Sequence, residues 1–164
     1  MMHTTASPAA AKLGPREIEE VIYAANMLLD SKDFVGWLGM CAPDFTYVIR
    51  TFSREIRKEV IWLDHDYEGM ASLVRQLPRH NTDLSEFTRH STVYTVMADE
   101  SGESVVVVTA VAIYRTTHDG GETKLFAVGR YTDTLVRTPD GWRFRARDLR
   151  LETRSLGIGT HYPL

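Results

Sequence analysis

The last third of the chain alternates apolar and polar side chains over three long segments that are separated by two tight turns. The turns are His118–Gly121 and Pro139–Gly141. Their Asp-Gly and Gly-Gly steps supply the positive φ angles that short hairpins require. Alternation over such lengths is typical of strands with one buried face. The sequence therefore predicts three consecutive antiparallel strands, over residues 103–116, 122–137 and 142–154.

The first half of the chain predicts helices that cover one face of this sheet. Pro15 opens a helix over residues 15–30, because acidic residues fill its first turns and apolar residues follow at helical spacing. Ser31 is typical of an N-cap and begins a second, short helix. A third helix begins at Tyr67 and ends at Pro78.

Two further strands are predicted, over residues 45–50 and 87–98, whereas residues 53–64 fit either a strand or a helical turn. Helices on one face of an antiparallel sheet define an α+β fold, here a cone-shaped scaffold. We expect one domain over residues 15–164 and a flexible segment over residues 1–14. Such scaffolds serve enzymes, binding modules and structural subunits, so the fold alone does not decide function.

Composition indicates which partners and which cellular compartment suit this chain. The chain has 164 residues with a net charge of -3, and its basic residues are interleaved with acidic ones, which argues against nucleic acid and anionic membranes as partners. Its single cysteine, Cys41, permits no intrachain disulfide and fits a reducing compartment. The N-terminal residues lack the apolar core of a signal peptide, and no apolar run is long enough to span a bilayer. We therefore expect a cytoplasmic protein.

Histidines and acidic residues offer weak candidates for a metal site. His65 lies between Asp64 and Asp66, but consecutive residues do not point to one spot, which favours a structural histidine. His80 and His90 with Asp83 would suit non-haem iron, although their spacing fixes no geometry. His118 is expected to be exposed in its turn. The sequence therefore predicts no metal ligands and no catalytic residues in this chain.

An isomerase-like site in the cone would need an inward carboxylate base opposite a tyrosine or a protonated acid. Five residues could supply these groups: Tyr47, Tyr114, Tyr131, Asp44 and Asp133. Tyrosines on such strands more often pack than catalyse. We expect Cys41 to be a small buried apolar residue and not a nucleophile. Neither a glycine-rich phosphate loop nor a serine nucleophile elbow occurs in the sequence.

Four blocks of sequence carry a resemblance to a known family. They are Asp33–Leu38 with the following Pro43–Tyr47, then Ser85–His90, Val128–Leu135 and Gly141–Leu149. On these residues the chain resembles the small (beta) subunits of Rieske non-haem iron aromatic-ring-hydroxylating dioxygenases, over most of its length from about residue 16.

The resemblance implies a nuclear-transport-factor-2-like (cystatin-like) cone and a homotrimer that supports catalytic alpha subunits in the catabolism of aromatic compounds. It places the Rieske [2Fe-2S] cluster and the mononuclear iron in the alpha subunit and leaves this chain without cofactors. A Rieske centre needs two cysteines, so the single Cys41 agrees with this. Benzoate, another aromatic acid or a sulfonate could be the substrate, as in benzoate 1,2-dioxygenase or methanesulfonate monooxygenase. A stand-alone isomerase or dehydratase with a ligand in the cone remains the alternative.

The C-terminal residues are apolar and punctuated by glycine, whereas a disordered terminus is usually polar. We expect the tail, through Leu156, Ile158, Tyr162 and Leu164, to dock on its own domain or on a neighbouring subunit. Seven residues are predicted to lie at subunit interfaces: Arg130, Asp133, Arg147, Arg150, Arg154, His161 and Tyr162.

Overall fold

In a computed structural model, described over residues 14–80, 82–157 and 159–164, three helices pack on a curved sheet of six strands. The prediction of a flexible segment over residues 1–14 falls, apart from Gly14, outside the described residues. The elements are α1 (Pro15–Asp30), α2 (Phe34–Leu38), β1 (Cys41–Ser53), β2 (Lys58–Asp66), α3 (Tyr67–His80), β3 (Glu86–Ala98), β4 (Ser104–Thr116), β5 (Thr123–Thr138) and β6 (Gly141–Leu151).

The strands lie in the order β2-β1-β6-β5-β4-β3. Every neighbouring pair is antiparallel except β1 and β6, which run parallel. The α+β cone is therefore confirmed, but the sheet is mixed and not wholly antiparallel. Turn residues specify only strands that a turn connects, and β1 meets β6 without one. The parallel pair thus leaves no local signal in the sequence.

The core lies between the concave face of the sheet and the helices. α1 packs against β3, and α3 packs against β1 and β2. The amphipathic pattern of α1 places Ile18, Ile22 and Leu29 on its buried face, as expected from their helical spacing. Alternate residues of β4, from Val105 to Ile113, point into the same core.

Two helix boundaries differ from prediction. Ser31 ends α1, and Asp33 is the N-cap of α2, because its side chain accepts a 2.8 Å hydrogen bond from the main-chain nitrogen of Gly36. Lys32, with φ of 60°, redirects the chain between the helices. α3 continues past Pro78 to His80. A proline in the last turn removes one hydrogen bond near the helix end, which costs less than in the middle.

The ambiguous residues 53–64 form a turn and most of β2. β2 pairs with β1 as a hairpin, and the register shifts between Ile49 and Arg50. Trp62 is the extra residue opposite this shift, so the period-two alternation is broken within the strand. This bulge explains why the pattern did not distinguish a strand from a helical turn. In the described part of the chain, no helix is both long enough and apolar enough to cross a membrane.

The close contact between β5 and β6 at Gly129 gives a test of how these two strands are aligned. A Cβ atom at Gly129 would overlap the main-chain oxygen of Arg150 on the neighbouring strand. We expect Gly129→Ala to destabilise the protein by about 1–3 kcal/mol, because backbone atoms cannot move aside as a side chain can. Denaturant unfolding measures this, with Thr132→Val at an exposed position of the same strand as the control. Equal unfolding midpoints for the two variants would contradict the register.

Candidate functional site

A fully buried ion pair lies inside the cone. Asp133 on β5 and Arg147 on β6 are direct partners across the hairpin. The Arg147 Nε donates to Oδ1 of Asp133 at 2.8 Å, and Nη2 donates to Oδ2 at 2.9 Å. Both side chains are 0% exposed. This bidentate geometry satisfies both carboxylate oxygens in a region that water does not reach.

Aromatic rings enclose this ion pair. The guanidinium carbon of Arg147 lies 4.2 Å from the ring centroid of Tyr131 and 4.8 Å from that of Phe144. Burial lowers the pKa of Arg147, but the Asp133 carboxylate outweighs this and leaves the pKa raised, so the guanidinium stays charged. Burial raises the pKa of Asp133, and its contacts with Arg147 oppose the rise.

The expectation of an interface role for Asp133 and Arg147 therefore needs correction. Both side chains lie in the core of the chain and bind each other, so neither is available to a partner. The turn Pro139–Gly141 alone does not predict this pairing, because the register of β5 against β6 shifts by one residue between Thr134 and Leu135. Without that bulge Asp133 would face Ala146, so the sequence held no direct signal for the pair.

The C-terminal tail, described over residues 156–157 and 159–164, closes the mouth of the cone. The hydroxyl group of Tyr47 donates to the main-chain oxygen of Leu164 at 2.5 Å and accepts from its nitrogen at 3.0 Å. The tail therefore docks on its own domain. Leu156 and Leu164 are 8% and 1% exposed, and the ring of Tyr162 stacks on Phe34 with centroids 5.3 Å apart. Ile158 lies outside the described residues.

Arg89 holds the same tail from the opposite half of the sheet. Its Nη2 donates to the main-chain oxygen of Pro163 at 2.7 Å, and its Nη1 donates to Asp30 of α1 at 2.5 Å. The sequence did not predict this role of Arg89, because its partner Pro163 lies far along the chain. Alternation with the buried Phe87 was the available signal that Arg89 points inward.

The residues suggested for an isomerase-like site do not assemble. The hydroxyl group of Tyr47 is bound to Leu164, and Asp133 is bound to Arg147. Asp44 lies at the surface, 3.0 Å from Arg145, and Tyr114 packs edge-on against the exposed His90. Among these five residues, only Tyr131 has a buried hydroxyl group without a hydrogen-bond partner. Neither of the two candidate carboxylates, Asp44 and Asp133, is therefore free to act opposite a tyrosine in the cone.

Three histidines lie around one groove although they are far apart in the sequence. His65, His80 and His161 line a groove of about 340 Å³ next to the tail. No group of three or more His, Cys, Asp or Glu side chains in the described ranges is placed to hold a metal ion. Asp83 binds Arg115 at 3.1 Å. Hydrogen bonds from Ser85 and Arg115 outweigh partial burial and lower the pKa of Asp83 to about 2.

The three remaining arginines predicted at an interface lie on the surface. Arg130, Arg150 and Arg154 have side chains that are 58%, 51% and 49% exposed. Each already faces a glutamate of its own chain, namely Glu152, Glu59 and Glu55 in that order. Exposed pairs of this kind contribute little to stability, so they remain available to a partner.

The buried ion pair predicts a strong asymmetry between single and double substitutions. Arg147→Met leaves the Asp133 carboxylate buried without a partner, so we expect a loss of about 3–5 kcal/mol in the free energy of unfolding. Arg147→Met combined with Asp133→Leu removes both charges and should recover most of that loss. Denaturant unfolding of the three proteins measures the coupling. A double variant no more stable than Arg147→Met would contradict this description of the pair.

The environment of Cys41 predicts low reactivity. Burial raises the pKa of its thiol to about 12, and the Sγ atom lies 3.7 Å from the main-chain oxygen of Trp37. Because the thiolate is the reactive form, alkylation by iodoacetamide at pH 8 should be far slower in the folded chain than in urea. Mass spectrometry follows the modification. Equal rates in the two conditions would show that the thiol is accessible.

Comparison with known proteins agrees with this geometry. The SnoaL-like domain family matches residues 15–148. The chain is 38% identical to the methanesulfonate monooxygenase hydroxylase subunit beta of Methylosulfonomonas methylovora, over 96% of this chain and 91% of that protein. It is 36% identical to the 2-aminobenzenesulfonate 2,3-dioxygenase subunit beta of Alcaligenes sp, over 90% and 97% respectively.

A solved structure shares the fold. The beta subunit of the benzoate 1,2-dioxygenase from Burkholderia mallei superposes with a TM-score of 0.70 at 14% identity, covering 94% of this chain and all of that one (100%). An identity this low supports the fold alone, whereas the two sulfonate relatives support the family. The chain belongs to the SnoaL-like domain family and, within it, to the beta subunits of multicomponent ring-hydroxylating dioxygenases.

Proposed function

We propose that this chain is a non-catalytic, structural subunit that supports a catalytic alpha subunit. The observation that carries the proposal is the closed interior of the cone. Asp133 and Arg147 neutralise each other there, and the tail binds Tyr47 across the mouth. An enzyme of this shape would need a base or an acid free to reach a ligand, and the carboxylate of Asp133 and the hydroxyl group of Tyr47 are already bound.

The iron centres belong to the alpha subunit in this proposal. A Rieske cluster takes two cysteine and two histidine ligands, and this chain has one cysteine. Cys41 is buried, and its raised pKa disfavours the thiolate that a metal would bind. The donor set of this chain therefore does not fit a Rieske centre.

An organosulfonate is the substrate class that we propose for the complex. Both relatives that share more than a third of their residues with this chain over nearly its full length are named for sulfonates. Benzoate and other aromatic acids are the alternatives to be tested beside it. Because the interior of this chain is closed, the alpha subunit would set the choice among them.

A homotrimer accounts for an apolar strip on the outer face of the sheet. Met97 on β3 pairs with Val106 on β4, and Val128 on β5 pairs with Ala112 on β4, all on the face away from the core. Met97 is 53% exposed and Val128 is 36% exposed. Cyclic closure of three copies would cover such surfaces symmetrically.

The contact with the alpha subunit would use the charged part of the same outer face. Arg130, Arg150 and Arg154 present partly exposed guanidinium groups there, and His161 and Tyr162 lie at the mouth of the cone. Charged surface groups commonly set the orientation of a partner. A cytoplasmic complex fits a chain that has one cysteine and therefore no intrachain disulfide.

Co-expression with a cognate alpha subunit tests the proposal. We expect a complex that contains all of the iron in the alpha subunit and oxidises a sulfonate such as 2-aminobenzenesulfonate in preference to benzoate. The isolated chain should bind no iron. Stoichiometric iron with a Rieske electron paramagnetic resonance signal in the isolated chain would overturn the structural role, and preference for benzoate would overturn only the substrate class.

Oligomeric state is tested by a charge placed on the apolar strip. Met97→Glu should convert the trimer into a monomer, because burying an unpaired carboxylate at an interface is costly. Met27→Glu, at a 72% exposed position of α1, is the control and should remain trimeric. Multi-angle light scattering measures both. A wild-type chain that is monomeric at micromolar concentration contradicts the trimer.

A further inference from the structure

Two diagonally opposite corners of the sheet carry exposed apolar side chains. The first, which we call the hairpin corner, spans residues 52–61 at the tip of the β1–β2 hairpin. The second, the turn corner, spans residues 94–103, where β3 turns into β4. β2 and β3 are the two edge strands of the sheet, and β1 and β3 run in opposite directions. The two corners therefore lie at opposite edges and at opposite ends of the sheet.

The hairpin corner presents three apolar side chains to solvent. Phe52, Ile56 and Ile61 are 40%, 61% and 58% exposed. Ile61 pairs with Arg50, two residues before Phe52 on β1, so Phe52 and Ile61 lie on the same outer face of the sheet. Single exposed apolar residues are common, whereas a group of them is typical of a contact surface.

The turn corner continues into the apolar strip on the outer face. Tyr94 and Met97 are 59% and 53% exposed, and Met97 belongs to that strip. A groove of about 260 Å³ extends from here across β3, β4 and β5, and its lining includes Tyr94, Ala110, Ala112 and Val128. The alanine side chains leave room between their larger neighbours, so the groove can receive apolar side chains from another molecule.

Basic side chains dominate the hairpin corner. Its two glutamates are already bound within the chain, Glu55 by Arg154 and Glu59 by Arg150. Three exposed basic residues there have no ion-pair partner among the described residues: Arg54, Arg57 and Lys58. The hairpin corner therefore combines apolar side chains with uncompensated positive charge.

Acidic side chains dominate the turn corner. Asp99, Glu100 and Glu103 are exposed, and none of them forms an ion pair within residues 14–80, 82–157 and 159–164. The carboxylate of Asp99 accepts a 2.9 Å hydrogen bond from the side chain of Ser101, which lowers the pKa of Asp99 and keeps it ionised. Because opposite charges favour association, each copy of this chain is complementary to a second copy of itself.

We propose that the trimer closes head to tail, with the hairpin corner of one copy docked on the turn corner of the next. A ring of three copies needs two different patches on each copy, and these two corners supply them. The basic groups of the hairpin corner would face the acidic turn, and its apolar side chains would cover the strip beside Met97. This inference rests on the homotrimer of the proposed function and names the surfaces that form it.

Charge reversal at the two corners tests the contact. Arg54→Glu with Arg57→Glu, or Glu100→Arg with Glu103→Arg, places like charges across it. We expect either pair of substitutions to raise the concentration at which half of the chains are trimeric by about tenfold or more. All four substitutions in one chain restore the attraction with the signs exchanged, so this concentration should return to near the wild-type value. Multi-angle light scattering over a dilution series at low salt measures each protein.

A matched control reverses two acidic residues at the other end of β4. Asp119→Arg with Glu122→Arg changes the net charge by the same amount as the reversal at the turn corner, and both positions are exposed. This variant should assemble at the wild-type concentration. High salt should reduce the difference between the wild type and the reversed variants, because it screens charges at an exposed contact.

Three results would count against the proposal in different ways. A wild-type trimer whose reversed variants assemble unchanged would overturn these surfaces and leave the trimer standing. Reversed variants that keep a native circular dichroism spectrum but stay monomeric even when all four substitutions are combined would also overturn it, because charge complementarity would not explain the loss. A monomeric wild-type chain would contradict the trimer and these surfaces together.

Discussion

The ion pair between Asp133 and Arg147 is the constraint on which the interior of this chain depends. A carboxylate and a guanidinium with 0% exposure must satisfy each other, since neither can reach water. Their bidentate contact fixes the register of β5 against β6 and orients Arg147 over the ring of Tyr131. The polar groups inside the cone are thus arranged around a contact within the protein.

The tail makes a second set of buried polar contacts in the cone, next to the ion pair. Tyr47 lies beside Arg147 in the parallel register of β1 and β6, and its hydroxyl group holds Leu164 across the mouth. Arg89 reaches the same segment from β3 and ties it to α1 through Asp30. The opening of the cone is thus occupied by residues of the chain itself. In the proposed structural role, the surfaces left for a partner are therefore the outer ones.

The sequence predicted those parts of the fold that depend on local signals. Asp-Gly and Gly-Gly turns placed the hairpins, helical spacing placed α1 to the residue, and alternation placed the long strands. The parallel pairing of β1 with β6 escaped it, because that contact joins segments about a hundred residues apart with no turn between them. β2 was not predicted with certainty because the bulge at Trp62 breaks the alternation of side chains from which a strand is recognised.

The site was harder to predict than the fold. Asp133 and Arg147 look like surface charges when read singly, and only the hairpin register shows that they face each other in the core. Arg89 was missed because its role depends on a tail that follows it by more than seventy residues. The convergence of His65, His80 and His161 on one groove likewise needs the packing of a strand, a helix and the tail. The resemblance carried by the four sequence blocks indicated the family, which the inner residues alone would not have done.

The most direct test of the structural role measures turnover by the assembled complex after a change inside the cone. Tyr131→Phe removes the one buried tyrosine hydroxyl group that has no partner among the described residues, and it keeps the ring beneath Arg147. The variant is co-expressed with the alpha subunit, and oxygen uptake per alpha subunit is measured with whichever sulfonate or aromatic acid the wild-type complex oxidises. If the cone is structural, the rate stays within about twofold of wild type, a difference of under half a kcal/mol in the activation free energy. A loss of a hundredfold or more in a complex of unchanged composition would show that the cone takes part in catalysis.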